Sequence, residues 1–508
     1  NGANVTVTST STMQDIVYCI SGTTSNGSLR LFSDKRCNLV MNGVSITSTT
    51  GPAVNIQTNK KTTVTLVDGT SNYLSDASIY NNIFSNNEDQ KAAFFSEGQL
   101  VFEGNGTLSV AGIGIDKHAI CSDDYIEVNS GNITVISSAK DGIHSKDGLR
   151  INGGVITVSS TKDAIDGESG IILINGGTIN TVNSTSDAKG ITCDSNLIIN
   201  NGIINFTMSG DQSKGLKSKR KMMINGGKIN INTSGNAVLS ALGSGYSTSY
   251  CTAIKCDEEI SIGMAKITIA CSGMGGKGIA SDKDIVINCD SIEIKTYGNG
   301  ATFLNSSGVA SAYASTAISA DGNINIVNGY ISITSSGTGG KGISSDKSIT
   351  IGEGSNIPKL NITTSGTRIL VSGTSGNANA SYENPKALKC NEILDINNCD
   401  LTVKTTNPGG EGLDCDSIIN VNGGNISLTV NGNQTKAIKG SKSINLLGGN
   451  INITTTGNVV LETSGSGNNP SYCTAIKSNG IVNLNGSSIT INASGTAAKG
   501  ISSNGDFI

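Results

Sequence analysis

The sequence predicts an all-β solenoid, and more specifically a right-handed single-stranded parallel β-helix. The segment 141–162, DGIHSKDGLRINGGVITVSSTK, recurs with variations about fourteen times in the 508 residues. Most steps between copies are 22 to 26 residues long, and four are stretched to between 38 and 45. A fixed period of this length is typical of a solenoid, because each unit can bury its apolar face only against its neighbours.

Each copy contains three short apolar–polar alternations, which predict three strands per rung. The first alternation is marked by one aliphatic residue per copy, and these residues form a column: Ile120, Ile143, Ile165, Ile191, Leu216, Ile254, Ile279, Ile318, Ile343, Leu388, Leu413, Ile438, Ile476 and Ile501. The other two are illustrated by Leu149 with Ile151 and by Ile156 with Val158. Lys-Asp-Gly and Asn-Gly-Gly between the alternations predict turns, and the crossover rule for parallel strands favours right-handed winding.

Two regions are predicted along the chain. Residues 1–116 are less regular and are interpreted as an N-terminal cap with irregular first coils, whereas 117–508 are interpreted as about fourteen regular rungs. A polar insert at 70–93 predicts a loop or a short helix. The sequence stops inside a rung, and an open β-helix end exposes strand edges that promote aggregation. We therefore expect the natural chain to continue beyond Ile508 into further domains, or to self-assemble.

Composition limits the classes of partner. With 65 glycines, no tryptophan and 4% aromatic residues, the predicted core consists of stacked Ile, Val and Leu between tight turns. A net charge of −4 gives no indication of a nucleic-acid surface, and the lack of an eighteen-residue apolar run predicts no membrane-spanning helix. The twelve cysteines form no CxxC clusters, which argues against a zinc site. Many Asn-x-Ser/Thr sequons are compatible with secretion.

Equivalent residues of successive rungs should stack about 4.8 Å apart. The asparagine of the Asn-Gly-Gly turn recurs at Asn152, Asn175, Asn225 and Asn422, which predicts a ladder of hydrogen-bonded amides. Cys390 and Cys415 fall at equivalent positions of adjacent rungs. Because their Cβ vectors would point the same way, we expect stacked free thiols rather than a disulfide.

Several segments together resemble a known family. MNGVSI, TTVTLVDGTSNYLSDAS, KAAFFSEGQLVFEGNGTLSV and KDGIHSKDGLRINGGVITVSSTKDAIDG are similar, in content and in order, to the carbohydrate-binding β-helix domain of cellulolytic clostridia. The resemblance covers essentially the whole chain. It implies a right-handed parallel β-helix similar to pectate lyases, located outside the cell or on its surface, that binds cellulose or acidic plant polysaccharide and holds structural calcium.

An acidic corner is predicted two positions before the aliphatic column. Asp141 and Asp163 would stack about 5 Å apart and repel each other unless a cation or a raised pKa relieves them. Crowded carboxylates suit Ca²⁺, and the Asp-Gly-Ile and Asp-Ala-Ile pattern resembles the calcium-bearing corner of the family. The predicted metal ligands are Asp116, Asp141, Asp163 and Asp166. The alternative is that Lys140 and Lys162 neutralise the pair without a metal.

From Lys189 onward, lysine mostly replaces aspartate in this column, so the later rungs lack the calcium pattern. An acidic column appears five positions along, at Asp194, Asp257, Asp282, Asp321, Asp346 and Asp416. One interpretation is a solvated lattice of Lys and Asp, in which each pair contributes little. The other is a basic stripe that follows an anionic polysaccharide such as polygalacturonate, represented by Lys277, Lys341 and Lys436.

The four stretched rungs each return through a tyrosine. These residues are Tyr250, Tyr313, Tyr382 and Tyr472. Insertions into a repeat collect on one face and tend to carry function, and tyrosine rings can stack on sugar faces while the hydroxyl forms a hydrogen bond. The alternative is that the rings pack the loop bases onto the wall of the helix.

The combined prediction is a secreted or cell-surface, non-catalytic protein that binds cellulose or polygalacturonate, with structural calcium and no catalytic residues. A structural or surface-display rod is the first alternative. A calcium-dependent polysaccharide lyase is the second, for which Arg150 could act beside calcium. Asp163 with Asp166 is the one carboxylate pair that would suit a hydrolase.

Overall fold

The computed structural model describes residues 4–81 and 88–508, and within them all regular structure is β-strand. The Cα positions separate into two compact units, 1–231 and 232–508. Each unit is a parallel β-helix, which confirms the predicted fold class. No helix in the described part of the chain is long and apolar enough to cross a membrane.

The strands of the first unit are short, and most have three to six residues. They are β1 (Asn4–Thr8), β2 (Ile16–Thr24), β3 (Ser28–Phe32), β4 (Cys37–Thr47), β5 (Val54–Gln57), β6 (Thr62–Leu66), β7 (Ser71–Ser75), β8 (Ala92–Ser96), β9 (Leu100–Gly104), β10 (Thr107–Gly112), β11 (His118–Ser122), β12 (Ile126–Val128), β13 (Asn132–Ser138), β14 (Ile143–Ser145), β15 (Gly148–Ile151), β16 (Val155–Val158), β17 (Ile165–Asp166), β18 (Ile171–Ile174), β19 (Thr178–Asn183), β20 (Lys189–Cys193), β21 (Leu197–Ile199), β22 (Ile203–Met208), β23 (Lys214–Ser218), β24 (Met222–Ile224) and β25 (Lys228–Thr233). In the regular part each rung gives one strand to a first sheet, such as β11, β14 and β17, and two strands to a second sheet, such as β12 with β13 and β15 with β16. The insert at 70–93, predicted as a loop or a short helix, contains all of β7 and the start of β8, and its residues 82–87 lie outside the described residues.

The second unit repeats this arrangement and adds hairpins. Its strands are β26 (Val238–Leu242), β27 (Gly245–Ser249), β28 (Thr252–Cys256), β29 (Ile260–Ile262), β30 (Lys266–Cys271), β31 (Lys277–Ser281), β32 (Ile285–Thr296), β33 (Ala301–Leu304), β34 (Ala310–Tyr313), β35 (Thr316–Ala320), β36 (Ile324–Ser335), β37 (Lys341–Ser345), β38 (Ile349–Ile351), β39 (Lys359–Thr364), β40 (Ile369–Ser372), β41 (Ser381–Glu383), β42 (Lys386–Cys390), β43 (Ile393–Ile396), β44 (Asp400–Thr405), β45 (Glu411–Cys415), β46 (Ile418–Val421), β47 (Asn425–Val430), β48 (Lys436–Gly440), β49 (Ser443–Leu446), β50 (Asn450–Thr455), β51 (Val460–Ser464), β52 (Gly467–Ser471), β53 (Thr474–Ser478), β54 (Ile481–Leu484), β55 (Ser488–Ala493) and β56 (Lys499–Ser503). Its first sheet holds β28, β31, β35, β37, β42, β45, β48, β53 and β56.

The predicted aliphatic column is confirmed by the register of the first sheet within each unit. Ile120 pairs with Ile143, Ile143 with Ile165, and the pairing continues in step. In the second unit the same column runs from the Ile254–Ile279 pair to the Ile476–Ile501 pair, with one register throughout. Because a shift of one residue would turn every side chain to the opposite face, burial of this column fixes which residues face outward.

The asparagine ladder is confirmed as well. Each side-chain amide donates to the preceding rung at 2.8 or 2.9 Å, in the pairs Asn175–Asn152, Asn200–Asn175, Asn225–Asn200 and Asn422–Asn397. The adjoining Gly154 has φ +79°, and a Cβ there would lie 2.6 Å from the carbonyl oxygen of Gly131. The glycine of this turn is therefore required both by the backbone conformation and by the close approach of the neighbouring rung.

The twelve cysteines are present as thiols, and all except Cys19 are buried. The Cys390 thiol donates to Cys415 Sγ at 3.1 Å, and the two do not form a disulfide. The predicted stacked thiols are thus confirmed, and they pack as small apolar side chains within the column of rungs.

Candidate functional site

The outer face of the first sheet carries the variable residues. In β37, Lys341 and Ser344 are partly exposed, whereas Ile343 between them is fully buried. The same alternation places two outward columns on this sheet, one two positions before each buried aliphatic residue and one directly after it. These columns contain the residues that distinguish one rung from the next.

Four antiparallel hairpins border this face in the second unit. They are β26–β27, β33–β34, β40–β41 and β51–β52, and each directly precedes a strand of the first sheet. They are the insertions that stretch four of the rungs.

Two pairs of hairpins are bonded to each other. The backbone N–H of Ser244 donates to the carbonyl of Ser306 at 2.9 Å, which joins the first two hairpins. Thr463 joins the last two, because its carbonyl accepts from Ala378 and its N–H donates to Gly376. The hairpins therefore form an edge beside the lysine column instead of four separate loops.

The predicted lysines begin three of the four rungs that a hairpin stretches. Lys277 begins β31, Lys341 begins β37 and Lys436 begins β48, and the hairpin of each rung follows later in the chain, directly before β35, β42 and β53. Lys341 forms an ion pair with Glu383 at 3.1 Å. The described residues include no ion-pair partner for Lys277 or Lys436.

Burial and like charges alter two of these ammonium groups. Burial, together with the charges of Lys255 and Lys341, lowers the pKa of Lys277 to about 8, although Asp321 opposes the change. Burial and repulsion by Lys477 lower the pKa of Lys436 to about 8. Both positions therefore favour an added negative charge, which would replace the solvation that the ammonium groups have lost.

The predicted tyrosines lie at the hairpin bases, and cations cover three of the rings. Lys277 lies 4.0 Å from the ring centroid of Tyr250, Arg368 lies 3.6 Å from that of Tyr382, and Lys499 lies 3.7 Å from that of Tyr472. The fourth ring, of Tyr313, is 8% exposed and lies beside Phe303. This geometry favours packing of the loop bases, and a direct sugar contact by these rings stays a prediction.

The first insertion contains a second tyrosine, which is not among the predicted sugar-binding residues and has a more exposed ring. Tyr246, in β27, is 44% exposed, and Leu239 and Leu242 of the same hairpin are also exposed. The signal is the first tyrosine of the YSTSY segment, which stands within the hairpin strand, whereas Tyr250 follows it.

A buried cluster of charges, also missed in the sequence, lies on the same face. Asp414 is 1% exposed and Glu411 is 3% exposed. The Nζ atom of Lys386 lies 2.9 Å from Asp414 Oδ2, and that of Lys439 lies 3.1 Å from Asp414 Oδ1. Lys389 lies 3.7 Å from Asp414 and 2.5 Å from the exposed Asp416. The predicted lattice of Lys and Asp therefore exists here, but part of it is desolvated.

The predicted acidic corner in the first unit contains two histidines. Asp141 is 5% exposed, and its Oδ2 lies 3.2 Å from His118 Nδ1 and 3.5 Å from His144 Nδ1. His144 Nδ1 also lies 3.2 Å from Asp166 Oδ2. The carboxylate of Asp163 accepts the backbone N–H of Lys189 at 2.7 Å.

The ionisation of the corner follows from these contacts. Burial raises the pKa of Asp163 to about 7, against the opposing charge of Lys189. Burial alone would lower the pKa of His144, but the contacts with the carboxylates of Asp141 and Asp166 raise it to about 9.

Not all of the predicted ligands meet at this corner. Asp116 is exposed in a left-handed turn with φ 57°, outside the groups of side chains that could share an ion. Among the described residues, neither Lys140 nor Lys162 forms an ion pair with Asp141 or Asp163. Asp141 contacts the two histidines, and Asp163 contacts Lys189.

The fold and this variable outer face define a parallel β-helix repeat protein. A family model described as carbohydrate-binding domain-containing protein matches residues 1–247 and 374–508. The chain belongs to this family, as the resemblance in its segments indicated.

One relative and one solved structure are similar to parts of the chain. A carbohydrate-binding domain-containing protein of Acetivibrio thermocellus is 32% identical over 123 residues, which cover 23% of this chain and 42% of that protein's length. A polysaccharide lyase-like protein from C. thermocellum, solved as a gadolinium derivative, is 24% identical over 46% of this chain and 82% of its own, with a TM-score of 0.36. The first of these proteins supports the family assignment.

Proposed function

We propose that the protein is a non-catalytic binding module for an anionic plant cell-wall polysaccharide of the polygalacturonate type. The second unit would make the contact, along the lysine column beside the hairpins. Family membership supports the carbohydrate-binding role. The observation that carries the choice of ligand is the pair of half-buried ammonium groups, Lys277 and Lys436, that have no ion-pair partner among the described residues.

A sugar carboxylate offers what these lysines lack. A charge that has been taken out of water is stabilised by a hydrogen-bonded partner of opposite sign. Successive rungs are about 4.8 Å apart, on the scale of one sugar residue, so a polyuronate chain lying along the stack could present a carboxylate to several rungs. The ligand would be recognised by repeated charge contacts along its length.

A flat neutral surface such as crystalline cellulose fits this face less well. Binding to cellulose commonly uses exposed aromatic rings as platforms, because one face of the ring stacks on the sugar. Here cations cover the rings of Tyr250, Tyr382 and Tyr472, and the exposed Tyr246 lies on a hairpin among exposed leucines. Cellulose is therefore retained as a comparison in the test.

The arrangement also argues against lyase chemistry. Arg150, the residue considered as a base beside calcium, lies in β15 of the second sheet and lines a groove with Tyr125 and Leu173. Asp141 and Asp163 belong to the outer columns of the first sheet. A lyase needs its base within reach of the substrate proton and its metal ion at the adjacent substrate carboxylate, whereas these residues lie on different sheets of the rung.

Two predictions accompany the proposal. An extracellular or cell-surface location follows from the nature of the ligand, since plant cell walls are outside the cell that degrades them. Structural calcium is expected from the family resemblance and stays a prediction, which the chelator arm of the experiment below examines.

The experiment is a pull-down of the full chain on immobilised polygalacturonate and on cellulose, with and without a chelator. Hydrogen bonds to charged groups contribute about 1.5–3 kcal/mol, so Lys277→Gln and Lys436→Gln should each weaken polygalacturonate binding at least about tenfold. The matched control is Lys266→Gln, which removes a 65% exposed lysine from β30 in the second sheet. Equal binding by all three variants would exclude the lysine column as the site.

The two alternative functions, a structural rod and a lyase, predict different results in the same experiment. A chain that binds neither polymer would support the structural rod. Release of unsaturated products from polygalacturonate, followed by their ultraviolet absorbance, would show a lyase and overturn the non-catalytic assignment.

A further inference from the structure

Two imidazole rings are stacked on the outer face of the first sheet in the first unit. The ring centroids of His118 and His144 are 4.3 Å apart, with 24° between the ring planes. The chain contains only these two histidines. The side chain of His118 is 5% exposed and that of His144 is 15% exposed.

Both rings carry a buried nitrogen beside the same carboxylate. The Nδ1 atoms of His118 and His144 are buried and make no hydrogen bond of acceptable geometry. Each nevertheless lies within 3.5 Å of Asp141 Oδ2. Buried polar atoms are nearly always satisfied in native proteins, and an exception calls for an explanation such as an ion.

The separations between these atoms match the edges of a metal tetrahedron. Bonds of about 2.0–2.2 Å to nitrogen and oxygen place neighbouring ligand atoms roughly 3.3–3.6 Å apart in a tetrahedral site. The observed separations are 3.2 Å for His118 Nδ1 to Asp141 Oδ2, 3.5 Å for Asp141 Oδ2 to His144 Nδ1, and 3.2 Å for His144 Nδ1 to Asp166 Oδ2. One donor atom from each of Asp141, His144 and Asp166 lies within 4.8 Å of the other two, so these three are already spaced for one small cation.

We propose that this corner binds a divalent transition-metal ion of the zinc class through Asp141, His144 and Asp166, with His118 beside the ion. The donor set is one imidazole nitrogen and two carboxylate oxygens, which leaves a fourth tetrahedral position for water. Imidazole suits zinc, copper, iron and nickel, whereas calcium takes six to eight oxygen ligands. The donors therefore differ from those expected of the calcium corner, and Asp116 is not among them.

The residues around the three donors fit a metal site as well. Histidines that bind a metal usually donate their other ring N–H to a carboxylate or carbonyl, which orients the ring. His144 Nε2 lies 3.4 Å from Glu168 Oε2. The backbone N–H of Asp163 donates to Asp141 Oδ1 at 3.2 Å, which leaves Oδ2 directed at the histidines.

Cys121 lies beside the proposed ion. One ligand atom from each of His118, Cys121 and His144 lies within 4.8 Å of the others. The cysteine spacing in the sequence argues against a zinc site, but that argument applies only to sites made of cysteine clusters. Here the residues come together through the register of β11 and β14, in which Cys121 pairs with His144.

The test uses the full chain, stripped with a chelator and dialysed, and the probes Zn²⁺, Co²⁺ and Ca²⁺. Isothermal titration should give one tight Zn²⁺ equivalent, which excess Ca²⁺ does not displace. Co²⁺ should produce the intense visible absorption of a tetrahedral nitrogen–oxygen site. Because the chain has two histidines, both imidazole signals in an NMR spectrum should shift on addition of Zn²⁺.

Variants keep the proposal falsifiable even if one of them fails to fold. Asp166→Asn changes a side chain that is 20% exposed, and it should weaken Zn²⁺ binding at least tenfold, as should His144→Gln. The control is Asp147→Asn, an exposed aspartate of the neighbouring turn. Retained Zn²⁺ binding in the folded Asp166→Asn variant, unshifted imidazole signals, or binding of Ca²⁺ in preference to Zn²⁺ would overturn the proposal. These outcomes are independent of polysaccharide binding by the second unit.

Discussion

The buried carboxylate of Asp414 offers a direct test of the energetics of the lysine face. The change is Asp414→Asn, which keeps the shape of the side chain and removes its charge. The control is Asp416→Asn, because Asp416 also contacts Lys389 but is 57% exposed. The two variants thus remove a carboxylate from the same lysine in two different environments.

The expected magnitude follows from burial. Opposite unit charges about 4 Å apart interact by about 4 kcal/mol at an effective dielectric constant near 20. Asp414 contacts three lysines at 2.9, 3.1 and 3.7 Å, but burying the carboxylate costs several kcal/mol in solvation. Removing one partner of a buried pair destabilises proteins by about 3–5 kcal/mol, whereas exposed pairs contribute roughly 0–1 kcal/mol.

The same contacts predict the pH dependence. Burial alone would raise the pKa of Asp414, but Lys386, Lys439 and Lys389 outweigh it and hold the pKa well below its usual range. A carboxyl whose folded pKa is depressed contributes stability above its unfolded pKa, near 4, and that contribution is lost as the pH falls through the folded value. The difference between wild type and Asp414→Asn should therefore be full at pH 7 and shrink in acid.

The measurement is urea denaturation followed by circular dichroism, together with hydrogen exchange of the amides in β42, β45 and β48. Exchange is needed because stacked repeats can unfold in parts, and a single free energy of unfolding then loses meaning. Amide protection around β45 should fall by an amount that corresponds to about 3 kcal/mol or more in Asp414→Asn. A loss below 1 kcal/mol, or an equal loss in Asp416→Asn, would refute the reasoning.

Three further predictions follow from single residues. Binding of polygalacturonate should weaken as the pH rises from 7 to 9, because Lys436, with a pKa of about 8, loses its charge. The Lys436→Arg variant keeps its charge over this range and should bind with a flatter pH profile. A pH profile that is the same in the variant and the wild type would contradict the role of Lys436 in binding. In the native chain one thiol, Cys19, should react rapidly with a thiol reagent, and the others only on unfolding. Gly154→Ala should lower the melting temperature more than Gly69→Ala, since both have positive φ but only Gly154 meets a neighbouring carbonyl.

The sequence predicted those features that the repeat itself determines. The aliphatic column and the asparagine ladder follow from spacing alone, since parallel rungs place equivalent residues one above another. The positions of the hairpins were also visible, because each lengthens one step of the period. In all three cases the local pattern and the stacking between rungs require the same residue at the same place.

The sequence did not predict contacts that depend on side-chain reach across rungs. Asp141 was grouped with other aspartates because they share a column, but its nearest charged partners are His118 and His144. His144 belongs to the second outward column, and no spacing rule links the two columns. The burial of Asp414 likewise depends on the long side chains of Lys386 and Lys439 folding over it, which a column alignment does not reveal.

The opposite demands on the two sides of the sheet explain how one repeat can carry different chemistry. An inward aliphatic residue is held by packing against the rungs on both sides, so its replacement costs several kcal/mol. An outward residue has no such constraint and can change from His118 to Asp141 to Lys189 without altering the register of the strands. Each such change places a new group about 4.8 Å from the preceding one. A β-helix therefore presents its side chains to a long ligand at a regular spacing, and the order of residues in the outer columns decides whether a given stretch suits an ion or a charged polymer.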